Sequence, residues 1–285
     1  MTPPVDISIR TLTLADLQIA DELNQAAFAT QESRIADTQR YLEAQPDGWF
    51  LAESHLGPLG MVGAMNYYKC AYIGQLAVLP EFQRMGVGSA LMQHVLAWLQ
   101  RNKVPSALLD ASKQGYPLYT QLGFTLQDTT SLYVLHQPAN IQADTSKCSI
   151  LRLEEQPELA AFDAAVFPGD RSRLFSILQR DFPNHALLIR DDEGRISGYL
   201  FIQGAKLGPW VSTNRQDSES LLHAALSRNL SGLPYVVVPD GNRDAAAMLG
   251  RYGFEPVRTI RFMVRGAIPD YRRDHVYGQY SFAIG

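Results

Sequence analysis

The chain says the same thing twice. Gly123-Phe124 returns as Gly253-Phe254, 130 positions downstream, and the elements leading up to each pair come in the same order. A repeat of this length means two copies of one folding unit, each too large to be a solenoid repeat. In the first copy, residues 7–10 alternate as a strand. Thr13 opens a helix with Asp16 in capping-box position, and Phe28 closes it. Residues 33–44 read as a second helix. Residues 49–53 and 59–67 form a hairpin around His55-Leu56-Gly57-Pro58, followed by strands at 72–78 and 106–110. A short helix over 116–122 stops at Gly123, a helix-ending residue, and 124–126 and 131–136 close the set as two strands. In the second copy, 150–153 is a strand and 157–167 a helix ending at Phe167, with another helix over 171–180. Residues 186–190 and 196–203 flank a turn at Asp191-Asp192-Glu193-Gly194. A helix over 218–228, a strand over 235–238 and a short helix over 245–252 complete it. Between the copies, 137–147 (QPANIQADTSK) is polar and aperiodic and reads as a linker. The expectation is an α/β (α+β) chain of two domains, 1–137 and 148–285, each with a mixed, mostly antiparallel sheet flanked by helices.

Composition excludes several classes of function. Of the 285 residues, 46% are hydrophobic and 19% charged, enough to fill two cores. A net charge of −4 argues against a nucleic-acid partner, which needs a basic face. No apolar run reaches the roughly 20 residues that span a bilayer, so no membrane partner is expected. The N-terminus lacks a basic start before an apolar stretch and is not a secretory signal. Two cysteines, Cys70 and Cys148, fit a reduced, cytoplasmic setting. The six histidines are scattered without metal-ligand spacing, so no metal is expected.

The most informative stretch is LAVLPEFQRMGVGSALMQHVLAWL, from Leu76 to Leu99. A strand runs into Pro80, then into a loop with two glycines, then into a helix with Val87, Leu91, Val95 and Trp98 on one stripe. The backbone N–H groups of Gln83, Arg84, Met85, Gly86, Val87, Gly88 and Ser89 can converge on one ligand. Glycine permits close main-chain approach, and the helix adds its positive end and unpaired donors. The combination suits a pyrophosphate.

With its surroundings, this stretch resembles the GNAT superfamily of acetyl-CoA-dependent acyltransferases. The family pattern Leu-Ala-Val-x-Pro, then Gln/Arg-x-x-Gly-x-Gly/Ala, reads here as Leu76-Ala77-Val78, Pro80 and Gln83 to Gly88. About thirty residues on, the family has a tyrosine on a short helix and then Leu-Gly-Phe, here Tyr119 and Leu122-Gly123-Phe124. The resemblance is clear over 7–136. It extends to the second copy as in tandem members with a catalytic first half and a divergent second half.

The resemblance implies a strand that splays from its neighbour, so that Leu76, Ala77 and Val78 pair with the pantetheine arm of acetyl-CoA and polarise the thioester carbonyl. It also implies Tyr119 as the general acid for the leaving thiolate, with Tyr116 as nearby substitute. Ser112 stands where the family often has an asparagine that contacts pantetheine. The implied reaction is direct attack by a primary amine of a small molecule. The alternatives are a larger acyl-CoA or a protein amine as substrate, or a CoA-binding regulator without turnover. The chain departs from the pattern where many members carry a glutamate base, because Gly74 and Gln75 cannot take a proton. Glu22, Glu53 or Asp110 acting through water is the remaining route. Cys70 has no nucleophile motif. The second copy lacks the glycine pair in STNRQDSES and has Leu249 where the first has Tyr119, so it is expected to shape or stabilise. Asp170, Arg171 and Trp210 would either face a cleft there or serve as helix start and core. Arg258, Arg261, Arg265, Arg272 and Arg273 read as a solvated strand face, with contact to an acidic substrate group as the alternative. A monomer or a homodimer fits equally.

Overall fold

A computed structural model describes residues 6–137 and 147–285; the linker assigned to 137–147 lies almost wholly outside them. The chain divides into two compact units. One runs to Leu109 and includes Arg265–Ala267 and Ile284. The other holds Asp110–Val264, Ile268–Ala283 and Gly285.

The first unit contains β1 (Ser8–Thr11), α1 (Leu17–Phe28), α2 (Ile35–Ala44), β2 (Trp49–Ser54), β3 (Gly57–Asn66), β4 (Ala71–Val78), α3 (Val87–Arg101) and most of β5 (Ser106–Ala111). Strands β1 to β5 lie in sequence order, antiparallel except for β4 beside β5. Residues Leu59 to Met65 of β3 are all buried, as a strand covered on both faces requires. Helix α3 buries the expected Val87, Leu91, Val95 and Trp98 together with Met92 and Leu99. Helix α1 packs on β3 and β4 and against α2. Trp49 stacks on Tyr41 with ring centroids 5.3 Å apart, over Gly63. A Cβ at Gly63 would stand 1.9 Å from the Trp49 ring. Gly63→Ala is therefore expected to cost about 1–3 kcal/mol through overpacking, read as a lowered denaturation midpoint; an unchanged midpoint would mean that Trp49 moves freely.

The second unit contains α4 (Tyr116–Gln121), β6 (Thr125–Leu135), β7 (Cys148–Ile150), α5 (Gln156–Ala164), α6 (Ser172–Asp181), β8 (Ala186–Arg190), β9 (Ile196–Gln203), β10 (Lys206–Ser212), α7 (Arg215–Leu226), β11 (Tyr235–Pro239), α8 (Arg243–Arg251), nearly all of β12 (Phe254–Gly266), and β13 (Val276–Gly278). Its strand order is β12-β6-β11-β10-β9-β8-β7, with β13 on β10. Strand β6, from the first sequence copy, thus lies between β11 and β12 of the second.

Strand β6 is continuous, whereas its polar middle had suggested two strands. Partners distant in sequence explain the difference. Asp128 accepts from Arg273 Nε at 2.9 Å. Thr130 Oγ1 donates to Asp110 at 2.7 Å and accepts from Arg273 Nη2 at 3.0 Å. The Thr129 hydroxyl bonds to Asp240. Arg273 is accordingly buried rather than part of a solvated face, with Phe262 3.8 Å beneath its guanidinium. Helix α7 starts three residues before the expected Ser218, because the Asn214 side chain accepts from Asp217 N–H and caps it. Arg171 is a core residue. Its guanidinium forms a double hydrogen bond with Asp163 at 2.9 and 2.6 Å and also bonds to the Tyr199 hydroxyl. Trp210 is fully buried.

Candidate active site

Strand β4 has β3 as a ladder partner along its whole length, but pairs with β5 only over Ala71–Ile73. From Gly74 to Val78 its other edge has no ladder partner among the described residues. The β3 register shifts as well. Gly63 faces Gly74 and Met61 faces Ala77, so Val62 stands against both Gln75 and Leu76. This is a β-bulge, a device that redirects side chains next to functional sites. Gln75 has φ +50°, in the left-handed region. The main chain of Leu76, Ala77 and Val78 is therefore an open strand edge, able to add one more extended segment.

The loop that follows turns sharply into the next helix. Pro80–Phe82 forms a 3₁₀ turn, and Gln83 Nε2 folds back to donate to Val78 O at 3.1 Å. Arg84 (φ +61°) and Gly86 (φ +91°) are both left-handed, which turns the backbone sharply into α3. A Cβ at Gly86 would meet no protein atom within 4 Å. Conformation, and not packing, therefore requires glycine there, and the space over it is open. Val87, Gly88 and Ser89 form the first turn of α3, where N–H groups have no intrahelical acceptor and the helix dipole favours negative charge. Met85 is half-buried, and the Arg84 side chain is exposed.

Ser112 and Tyr119 lie together in the second unit. Ser112 Oγ accepts from Gly115 N–H at 3.1 Å, and its carbonyl accepts from Tyr116 N–H at 3.0 Å, starting α4. The Ser112 O–H remains a donor. Tyr119 is buried, its ring edge-on to Phe124 at 6.0 Å. A Cβ at Gly115 would come within 2.8 Å of that ring, so the glycine leaves room for it. Burial pushes the phenol pKa up, which keeps it protonated. The Tyr116 ring lies 4.7 Å from the Arg261 guanidinium.

The other candidate groups are engaged. Glu53 pairs with Arg10 at 2.7 Å, Glu22 accepts from Gln18 at 3.0 Å, and Asp110 accepts from Thr130. Cys70 is fully buried. Among the described residues no cluster of His, Cys, Asp and Glu could hold a metal ion, and no helix is long and apolar enough to cross a membrane.

The second copy repeats the bulge but not the open edge. Leu207 faces Ile202 and Trp210 faces Leu200, so Gly208 and Pro209 stand against Phe201. Strand β10 pairs with β11 only at Lys206–Tyr235. The freed edge is then taken by β13, through Trp210–Gly278 and Val211–Val276. In this copy the chain's own C-terminal strand fills the slot. Sequence reasoning missed β13, which is three residues long and has no period to read.

Comparison with known proteins agrees with this geometry. The family model for the acetyltransferase (GNAT) family matches residues 15–124, and that for an acetyltransferase (GNAT) domain matches 159–278. The uncharacterized N-acetyltransferase YitH of Bacillus subtilis (strain 168) is 25% identical over 233 residues, 80% of this chain and 81% of that protein. Holothin acyltransferase of Pseudoalteromonas sp. (strain SANK 73390) is 24% identical over 95% of this chain and 93% of its own length. A crystal structure from Pyrococcus horikoshii, assigned as an acetyltransferase, superposes with a TM-score of 0.87 at 26% identity, covering 98% of this chain and 96% of that one. With both halves matched by GNAT models and full-length relatives of the same kind, the chain belongs to the GNAT acetyltransferases, as a tandem member of that family.

Proposed function

We propose that residues 1–137 form the catalytic half of an N-acyltransferase that moves the acetyl group of acetyl-CoA to a primary amine of a small molecule. The observation that carries this reading is the open edge of β4 leading into the loop that ends at α3. Leu76, Ala77 and Val78 would hold the pantetheine arm by strand addition and polarise the thioester carbonyl. Gln83, Arg84, Met85, Gly86, Val87, Gly88 and Ser89 would bind the pyrophosphate. The Ser112 hydroxyl would donate to the arm, and Tyr119 would supply the proton to sulfur. A small-molecule acceptor is supported by the relative named for acylating holothin, which matches nearly the whole chain. Thiol release from acetyl-CoA with a panel of primary amines tests the reading. CoA binding without thiol release for any amine would make the chain a regulator.

In the same reading, residues 148–285 support the first half and bind no cofactor. Strand β13 occupies the edge that a pantetheine arm would need, and α7 begins at a capped asparagine without a glycine loop. Calorimetric titration with CoA is expected to give one site per chain. Two sites of similar affinity would overturn this division of labour.

A further inference from the structure

Strand β5 is buried throughout except at Asp110, which is half-exposed. The ladder explains this opening. Leu109 makes the last rung with β4, opposite Ile73, and Asp110 is the first β5 residue past that rung. It stands where the two strands part, just ahead of Ser112. Continued by one residue, the register sets it against Gly74, one of the two β4 positions that cannot take a proton. The carboxylate missing from β4 is thus present at the same fork, on the neighbouring strand.

That carboxylate is held from behind. Thr130 Oγ1 donates to Asp110 Oδ1 at 2.7 Å and accepts from Arg273 Nη2 at 3.0 Å. A hydroxyl has a single proton, so the guanidinium on its lone pair commits that proton to Asp110 and polarises it. Thr130 is fully buried. Arg273 is fixed in turn by Asp128 at 2.9 Å and by the Phe262 ring beneath it. Asp128 already supplies the charge partner of Arg273, so Asp110 is not required to neutralise it. A carboxylate accepts at about four positions, so its contacts within the chain are compatible with an incoming N–H.

We propose that Asp110 takes the proton of the attacking amine, and that Arg273, from the second copy, is a positioning residue acting on it through Thr130. The proposal rests on the N-acyltransferase reading above. In the transfer, the lone pair of a neutral primary amine attacks the thioester carbonyl, an N–C bond forms, and nitrogen becomes positive. The carboxylate meets that developing charge. Nitrogen gives one proton to Asp110, the C–S bond breaks with its electron pair going to sulfur, and Tyr119 protonates the sulfur. Asp110 then loses its proton to solvent and Tyr119 regains one, so the balance is one proton moved from nitrogen to sulfur.

The test uses the full chain, acetyl-CoA and an amine found by thiol release. Asp110→Asn is expected to lower kcat by on the order of 10²–10⁴. Its melting temperature should stay close to the parent's, because the amide oxygen still accepts from Thr130. Asp110→Ala leaves a space that formate can enter, so formate should raise its turnover by about tenfold or more. Formate should not rescue Asp110→Asn, whose amide fills that space. Thr130→Val leaves Asp110 in place but unheld. It should cost about 10- to 100-fold in kcat with the KM for acetyl-CoA unchanged, and Thr130→Ser should recover most of the loss. A role in stability alone would lower melting temperatures without any response to formate. Asp110→Asn turnover within about threefold of the parent, or a folded Asp110→Ala chain that formate does not rescue, would overturn the assignment and leave the N-acyltransferase reading standing. Parent-like turnover of Thr130→Val would overturn the part assigned to Arg273. Absence of thiol release by the parent with every amine would remove both readings.

Discussion

A chain carrying Gly88→Glu is expected to lose CoA binding and to keep its fold. Gly88 is the second residue of α3. Glutamate is a far better helix former than glycine, by up to about 1 kcal/mol, and a carboxylate in the first turn suits the helix dipole. The substitution therefore favours the helix while placing a negative charge where the phosphates would bind. Hydrogen bonds to charged groups are worth about 1.5–3 kcal/mol each, so losing two of them weakens CoA by about 10²- to 10⁴-fold. Calorimetry and circular dichroism read the two halves of this expectation. Unchanged affinity with an intact spectrum would place the pyrophosphate elsewhere.

Tyr119→Phe should lower kcat by on the order of 10²–10⁴, the usual contribution of an acid–base group, with little change in the KM for acetyl-CoA. The ring and its contact with Phe124 survive the change, so packing is preserved. The pH dependence gives an independent readout. An acid acts only while protonated, and burial raises this phenol above the ordinary tyrosine value. Its loss of the proton can lower the rate only above about pH 10. An alkaline fall already near pH 8, or turnover within about twofold of the parent, would return Tyr119 to the core and point to Tyr116 or water.

What the sequence revealed was local. The glycine loop, the α3 stripe and Leu122-Gly123-Phe124 each depend on residues within one or two turns, and the structure places Gly86 and the buried face of α3 accordingly. What it concealed depends on partners far along the chain. Asp128, Thr129 and Thr130 look like a turn until Arg273 and Asp240 are set beside them. Arg171 looked as though it could face a cleft because Asp163 and Tyr199, its partners, carry no local mark. At Gln75 the sequence showed only the lack of a base. The bulge and the burial belong to the folded chain.

The placement of β6 has a consequence for how the protein is made. This strand of 11 residues leaves the ribosome with the first copy, but both its ladder neighbours, β11 and β12, belong to the second. The hydroxyl contact between Ser131 and Thr259 joins positions 128 apart. At roughly 5–20 residues per second, translation leaves both edges of β6 bare for on the order of ten seconds, and bare edges invite pairing with other chains. The second copy thus completes the first during biosynthesis as well as in the finished enzyme. A gene cut between the copies would yield a first fragment with an orphaned strand and a second with a gap in its sheet, and each would need the other present at birth.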